Sequence, residues 1–171
     1  MTDSLDRAKK IKVVLFDVDG VLTDGSIWLF PAPASAPRST DAHAEQHADK
    51  PGFAIISQNM IEAKGFNAHD GTAISLARLG GLKTGMVTKR ISETVALRAR
   101  DLKIDYLYQG AQNKSDILDK ILAESGFHEE QIAYVGDDVI DLPIMRRCAF
   151  ATAMASPQRR MIGRSITSSP T

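Results

Sequence analysis

The sequence predicts an α/β fold, a three-layer α/β/α sandwich around a central parallel sheet. Three observations point to it. Residues 11–16 (IKVVLF) form a nearly continuous apolar run, the pattern of a strand buried on both faces. Further short apolar runs alternate with helical patterns of roughly 10 to 15 residues, which indicates βαβ units. Two of the runs end abruptly in turns rich in Gly and Asp, where open α/β sheets place their ligands.

Taken in chain order, residues 1–10 are charged, and only five or six apolar residues separate them from Asp17. That is too short for a signal-peptide core or a membrane span. The first strand, 11–16, delivers Asp17 at its end. A second run begins near Leu82 and closes with Met86 and Val87; residues 104–108, 131–135 and 148–153 supply three more. Between them Ala73, Leu76, Ala77 and Leu79 follow Gly71 with helical spacing. Val95, Leu97 and Leu102 lie in a segment of alternating charge, and Ile117, Leu118, Ile121 and Leu122 repeat at i, i+1, i+4, i+5. Residues 30–52 break the rhythm. They carry Pro31, Pro33, Pro37 and Pro51 with much Ala, Ser and His, and read as a long surface loop. Its flanks, 26–30 on one side and 53–57 and 61–65 on the other, are expected to pair as a β-hairpin or meander. Residues 156–171 turn to Ser, Arg, Thr and Pro and read as a flexible tail. The expected organisation is one domain over 1–155, with the hairpin and inserted loop at about 26–65.

Composition limits the function. Among 171 residues, Lys plus Arg and Asp plus Glu are equal at 21 each, so there is no basic excess for nucleic acid. Selectivity for an anion must come from a few placed cations. Cys148 is the only cysteine, which excludes an internal disulfide and suggests a reducing, cytoplasmic setting.

The chemistry gathers at strand ends. In FDVDGVLTDG, residues 16–25, Asp17 and Asp19 emerge where the first strand meets its loop. Two acids so close repel unless a cation or proton lies between them; alone, the pair also reads as a surface turn. YVGDDVID, residues 134–141, repeats the arrangement with Asp137, Asp138 and Asp141. Carboxylates pooled from two adjacent strand ends are an oxygen-only set suited to Mg²⁺. Asp138 and Asp141 also suit the start of the following helix. Thr88 ends the second strand before Lys89, Arg90 and a helix, a place for an anion cradle or a simple N-cap. Lys114 opens the next helix and alone would read as a solvated lysine.

In this order, DxDGVLTDG, apolar-x-Thr, Lys and GDDxxD resemble the four motifs of the haloacid-dehalogenase-like phosphatases. FNAHDG (66–71), YQG (108–110) and YVGDDVIDLPIM (134–145) are similar to the small, capless 3-deoxy-D-manno-octulosonate 8-phosphate phosphatases. The resemblance implies a Rossmann-like core with a projecting hairpin in place of a cap domain. It implies Asp17 as nucleophile and Asp19 as general acid and base. Mg²⁺ would be held by Asp17, Asp137 and the backbone carbonyl of Asp19. Asp138 and Asp141 would support the metal shell, and Thr88 and Lys114 would hold phosphoryl oxygens. Arg90 and Arg98 match arginines suited to a sugar-acid carboxylate. The implied role is release of free octulosonate for lipopolysaccharide by a homotetramer whose hairpins pack together. The sequence departs from that pattern with TKR in place of TGR, with His69 where an arginine is common, with the 30–52 insertion, and in a tail without the usual acidic helix. His69 leaves a nonulosonate 9-phosphate or another phosphosugar open as substrate. The altered tail leaves open a catalytically weak regulatory module, although such a module has no need of Asp19. A response-regulator receiver would carry its nucleophile deeper in the chain. His43 and His47 stand at i, i+4 but lack further ligands nearby.

Overall fold

The computed structural model describes residues 2–31 and 60–154. Five strands form a parallel sheet: β1 (Val13–Phe16), β4 (Lys83–Val87), β5 (Tyr106–Tyr108), β6 (Ile132–Gly136) and β7 (Phe150–Ala153). Their order is β5-β4-β1-β6-β7, so β1 is central. It pairs with β4 in the register Phe16 to Met86 and with β6 in the register Phe16 to Val135. The segments leaving β1, β4 and β6 therefore emerge side by side, at the same edge of the sheet.

The pleat of the sheet divides the core into two layers. Val13, Leu15, Val87, Ile132 and Tyr134 pack against Ile117, Leu118 and Ile121 of α4 (Lys114–Ser125) and Ile144 of α5 (Leu142–Met145). On the other face Val18, Leu22 and Met86 meet Ile74 of α2 (Ala68–Leu79) and Val95 and Ala99 of α3 (Glu93–Asp101). The result is the expected three-layer sandwich. The helices begin where the local chemistry allows. Asn67, Ser92 and Asn113 cap α2, α3 and α4, each accepting a backbone N–H through its side chain. Gly126 ends α4 in the left-handed conformation, at φ 71°.

The hairpin is present as β2 (Trp28–Pro31) paired antiparallel with β3 (Met60–Ala63), in the register Trp28 to Ala63. A bridge between Thr23 and Phe66 closes its base. Trp28, Phe30 and Ile61 are exposed on this arm, at 59%, 51% and 46%. The expected strand at 53–57, the remainder of the 30–52 loop with His43 and His47, and the tail at 156–171 lie outside the described residues.

One element goes beyond the sequence reading and one local alternative is corrected. The charged N-terminal segment forms α1 (Thr2–Lys10), which the sequence did not announce. It has almost no apolar face to give a period. It is held by polar contacts such as Asp6–Lys9 at 3.2 Å and the Arg7 guanidinium donating to the Ala149 carbonyl at 3.4 Å. The helix expected after Lys89 and Arg90 begins at Glu93, and its cap is Ser92 rather than Thr88.

Candidate active site

Asp17 lies one residue beyond β1 and is buried at 6% exposure. Its N–H donates to the Val135 carbonyl at 2.9 Å, which extends the β1–β6 ladder and fixes where its side chain starts. One carboxylate oxygen accepts the Val18 N–H at 2.7 Å, and the other takes the Lys114 ammonium at 2.8 Å. Burial pushes the Asp17 carboxyl up to about 6 from the ordinary 3.8, against the opposing pull of Lys114.

Lys114 is the first residue of α4, and only 3% of it is exposed. Its ammonium also donates to Asp141 Oδ1 at 2.6 Å and to the Tyr134 hydroxyl at 3.1 Å. The Tyr134 hydroxyl donates in turn to Asp141 Oδ1 at 2.8 Å. Burial, with the nearby Asp17 and Asp141 carboxylates, pushes that phenol well above its usual range, so it remains a neutral donor. Asp141 is fully buried, and its second oxygen accepts the N–H groups of Asp137 and Asp138 at 3.1 and 3.3 Å. Asp141 is thus the brace that ties Lys114 to the loop carrying Asp137. Asp138 accepts the Val139 N–H at 2.5 Å and starts the short turn Val139–Asp141.

Asp17, Asp137 and Asp141 each bring one oxygen within 4.8 Å of the others. Two glycines permit this crowding. A Cβ on Gly20, where φ is 91°, would come 2.1 Å from an Asp137 carboxylate oxygen, and one on Gly136 would come 2.5 Å from Asp141. Three carboxylates against one ammonium leave this pocket formally negative. A small, hard divalent cation such as Mg²⁺ suits both the oxygen-only donors and the charge.

Thr88 follows β4 and is buried at 2% exposure. Its hydroxyl oxygen accepts the Arg90 N–H at 3.3 Å, which leaves its own proton to donate. Asp19 belongs to a second cluster at the base of the arm. Its Oδ1 is paired with the Lys64 ammonium, and its Oδ2 faces Arg90 Nε at 3.8 Å. Glu62, in β3, faces both cations, at 3.9 Å from Lys64 and 3.6 Å from Arg90. Arg98 joins neither cluster. It lies on α3 against Gly71, with its guanidinium 5.7 Å from the Phe66 ring and bonded to Asp101 at 2.7 Å.

Sequence reasoning missed Lys64, Glu62 and Tyr134. Tyr134 sits inside a quoted motif, but it reads there as one more apolar strand residue. Lys64 and Glu62 carry no motif that sets them apart from solvated charges.

No family model matches the chain. Curated relatives do. The chain is 30% identical to the 3-deoxy-D-manno-octulosonate 8-phosphate phosphatase KdsC of Escherichia coli, over 95% of this chain and 72% of that protein. The crystal structure of the 3-deoxy-D-manno-octulosonate 8-phosphate phosphatase from Yersinia pestis matches with a TM-score of 0.71 at 29% identity, covering 94% of this chain and 73% of that one. The phosphatase of the same name from Moraxella catarrhalis, in complex with magnesium ion, phosphate ion and a KDO molecule, matches at 0.70 and 27%, covering 95% and 79%. Sequence identity of this extent, carried on the same fold, places the chain in the family of 3-deoxy-D-manno-octulosonate 8-phosphate phosphatases, phosphoric monoester hydrolases of the haloacid-dehalogenase-like superfamily.

Proposed function

We propose that this chain hydrolyses 3-deoxy-D-manno-octulosonate 8-phosphate to octulosonate and phosphate through an aspartyl-phosphate on Asp17, with Mg²⁺ as cofactor. The observation that carries the reading is the convergence of Asp17, Asp137 and Asp141 beside the buried Lys114. In the first step the Asp17 carboxylate attacks phosphorus, and the bond from phosphorus to the sugar oxygen breaks. Asp19 gives that oxygen its proton. In the second step Asp19 takes a proton from water, which attacks the phosphoryl group and frees Asp17. Asp17 and Asp137, with the Asp19 backbone carbonyl, would hold Mg²⁺, while Asp138 and Asp141 support that shell. Bound there, Mg²⁺ screens carboxylate from phosphate and stabilises charge on the transferring group.

Lys114 and Thr88 hold the remaining phosphoryl oxygens. All three Lys114 donors are engaged, by Asp17, Asp141 and Tyr134, so a phosphoryl oxygen must displace one of these partners. The bond to Asp17 is the one to give way, because Asp141 and Tyr134 are themselves tied into the loop and strand. Arg90, which faces Asp19 and Glu62, is assigned to the substrate's sugar acid; Arg98, held against Phe66 and Asp101, is assigned to it by motif position alone. The exposed apolar side chains of the arm support packing between copies in a homotetramer. Among the described residues no helix is long and apolar enough to cross a membrane, and the lone cysteine fits a cytoplasmic setting.

The test is phosphate release from the octulosonate 8-phosphate and from a nonulosonate 9-phosphate, with and without Mg²⁺, by wild type and Asp17→Asn. Asp17→Asn is expected to lose at least about 10³-fold, roughly 4 kcal/mol of transition-state stabilisation. Equal turnover by the two proteins would sink the nucleophile assignment. Preference for the nonulosonate would move the substrate, as His69 in FNAHDG allows. Light scattering on the purified protein checks the tetramer, and a monomer would reject it.

A further inference from the structure

We propose that Lys64 is a positioning residue for Asp19, anchoring one carboxylate oxygen so that the other carries the proton for the leaving group. This rests on the acid–base reading of Asp19 given above. Lys64 directly follows β3 at the root of the arm, and its side chain is 0% exposed. Lysine is almost never fully buried unless paired. Its pairing is specific: the ammonium contacts Asp19 Oδ1 and stands 3.9 Å from Glu62 Oε1.

The two oxygens of Asp19 are thereby made unequal. Oδ1 is held by Lys64. Oδ2 faces Arg90 Nε at 3.8 Å, beyond hydrogen-bond reach, and that buried nitrogen has no hydrogen-bond partner. Oδ2 is the oxygen left to receive and deliver a proton. Lys64 is itself fixed from behind. Glu62 Oε1 accepts the Ser92 hydroxyl at 2.5 Å, and the Glu62 carbonyl accepts the Thr94 hydroxyl at 3.0 Å. The root of the arm is therefore stitched to the start of α3, and through Lys64 that seam reaches Asp19. With two carboxylates and two cations, the group is electrically balanced and has no need of a metal to hold its shape.

A structural prop and a positioning residue make different predictions for leaving groups. A sugar alkoxide needs a proton to depart, whereas p-nitrophenolate does not. The quantity kcat/KM reports the steps up to departure of the leaving group, so it isolates the acid role. For Lys64→Met, kcat/KM on octulosonate 8-phosphate is expected to fall about 30-fold or more, within the usual worth of general acid catalysis, and on p-nitrophenyl phosphate by no more than about 3-fold. Asp19→Asn, measured in parallel, should show the same split. If Asp19→Asn shows the split and Lys64→Met lowers both substrates alike, or neither, the positioning role is overturned while the acid reading stands. If Asp19→Asn shows no split, the acid reading itself fails and the proposal falls with it. Lys64→Gln, close in stem length, carries the same expectation should Lys64→Met not fold, as judged by circular dichroism. Failure of both variants to fold would make Lys64 a prop of the arm and reject the proposal.

Discussion

The cluster at the tips of β1 and β6 and the cluster at the root of the arm are both built around a buried lysine, yet their charge balances differ. Lys114 faces Asp17 and Asp141, with Asp137 close by, so three carboxylates share one ammonium. Lys64 faces Asp19 and Glu62, with Arg90 as a second cation. The first group is left short of positive charge; there burial raises the Asp17 carboxyl, the Asp141 charge adds to the rise, and Lys114 offsets only part of it. The second is balanced. A site that must recruit a divalent cation benefits from the first arrangement, and one that must only orient a proton carrier benefits from the second. Function here is written in the imbalance.

Removing each lysine in turn is the strongest way to break that comparison. Lys114→Met strands two buried carboxylates, which typically costs about 3–5 kcal/mol of stability. Lys64→Met leaves Arg90 near Asp19 and Glu62, so its cost should be less than half of that. Urea unfolding of the metal-free proteins at pH 8, where Asp17 is ionised, reads both. Equal losses would mean that the two clusters do not differ in the way their charges suggest.

The difference also governs what could be read from the chain alone. Asp17, Asp137 and Asp141 follow apolar strands within short motifs, so position in a parallel sheet was enough to bring them together. Lys114 was legible only through its company. Its burial was not, because that depends on α4 starting at the sheet edge beside Tyr134. Lys64 lies 45 residues from Asp19, beyond the 30–52 insertion, and its neighbours have no periodicity. Only the fold of the arm root makes it a partner. Arg98 teaches the reverse lesson: a motif position can be recognised while the side chain's actual partners, Phe66 and Asp101, stay hidden. The polar α1 was invisible for lack of any apolar stripe, although its contacts hold it in place.

A subtler separation of the clusters comes from pH. The folded-state Asp17 carboxyl titrates near 6, above the 3.8 of an ordinary aspartate. Between those values the folded protein keeps a proton that the unfolded chain has released. Protonation therefore stabilises the fold, a contribution fully present below 3.8 and lost as pH rises through about 6. The gap is worth about 3 kcal/mol. Metal-free wild type should lose about that much stability, relative to Asp17→Asn, between pH 4 and pH 7.5. Added Mg²⁺ should reverse the trend, since a metal favours the ionised carboxylate. Parallel pH curves for wild type and Asp17→Asn would show that burial does not raise the Asp17 carboxyl.

The mildest change tests whether the brace or its ornament matters. Tyr134→Phe removes a hydroxyl that accepts from Lys114 at 3.1 Å and donates to Asp141 at 2.8 Å. Lys114 keeps both carboxylates, and Asp141 Oδ1 keeps the ammonium, so no charge is stranded. The phenyl ring still fills its fully buried place in the core. The expected cost is one hydrogen-bond site, about 1–2 kcal/mol in urea unfolding, with kcat held within about 3-fold of wild type. A loss of turnover well beyond 3-fold would mean that the hydroxyl, rather than the paired charges, holds the ammonium in register. Asp141 would then be a bystander to Lys114, and the bracing of the first cluster would have to be assigned to Tyr134 instead.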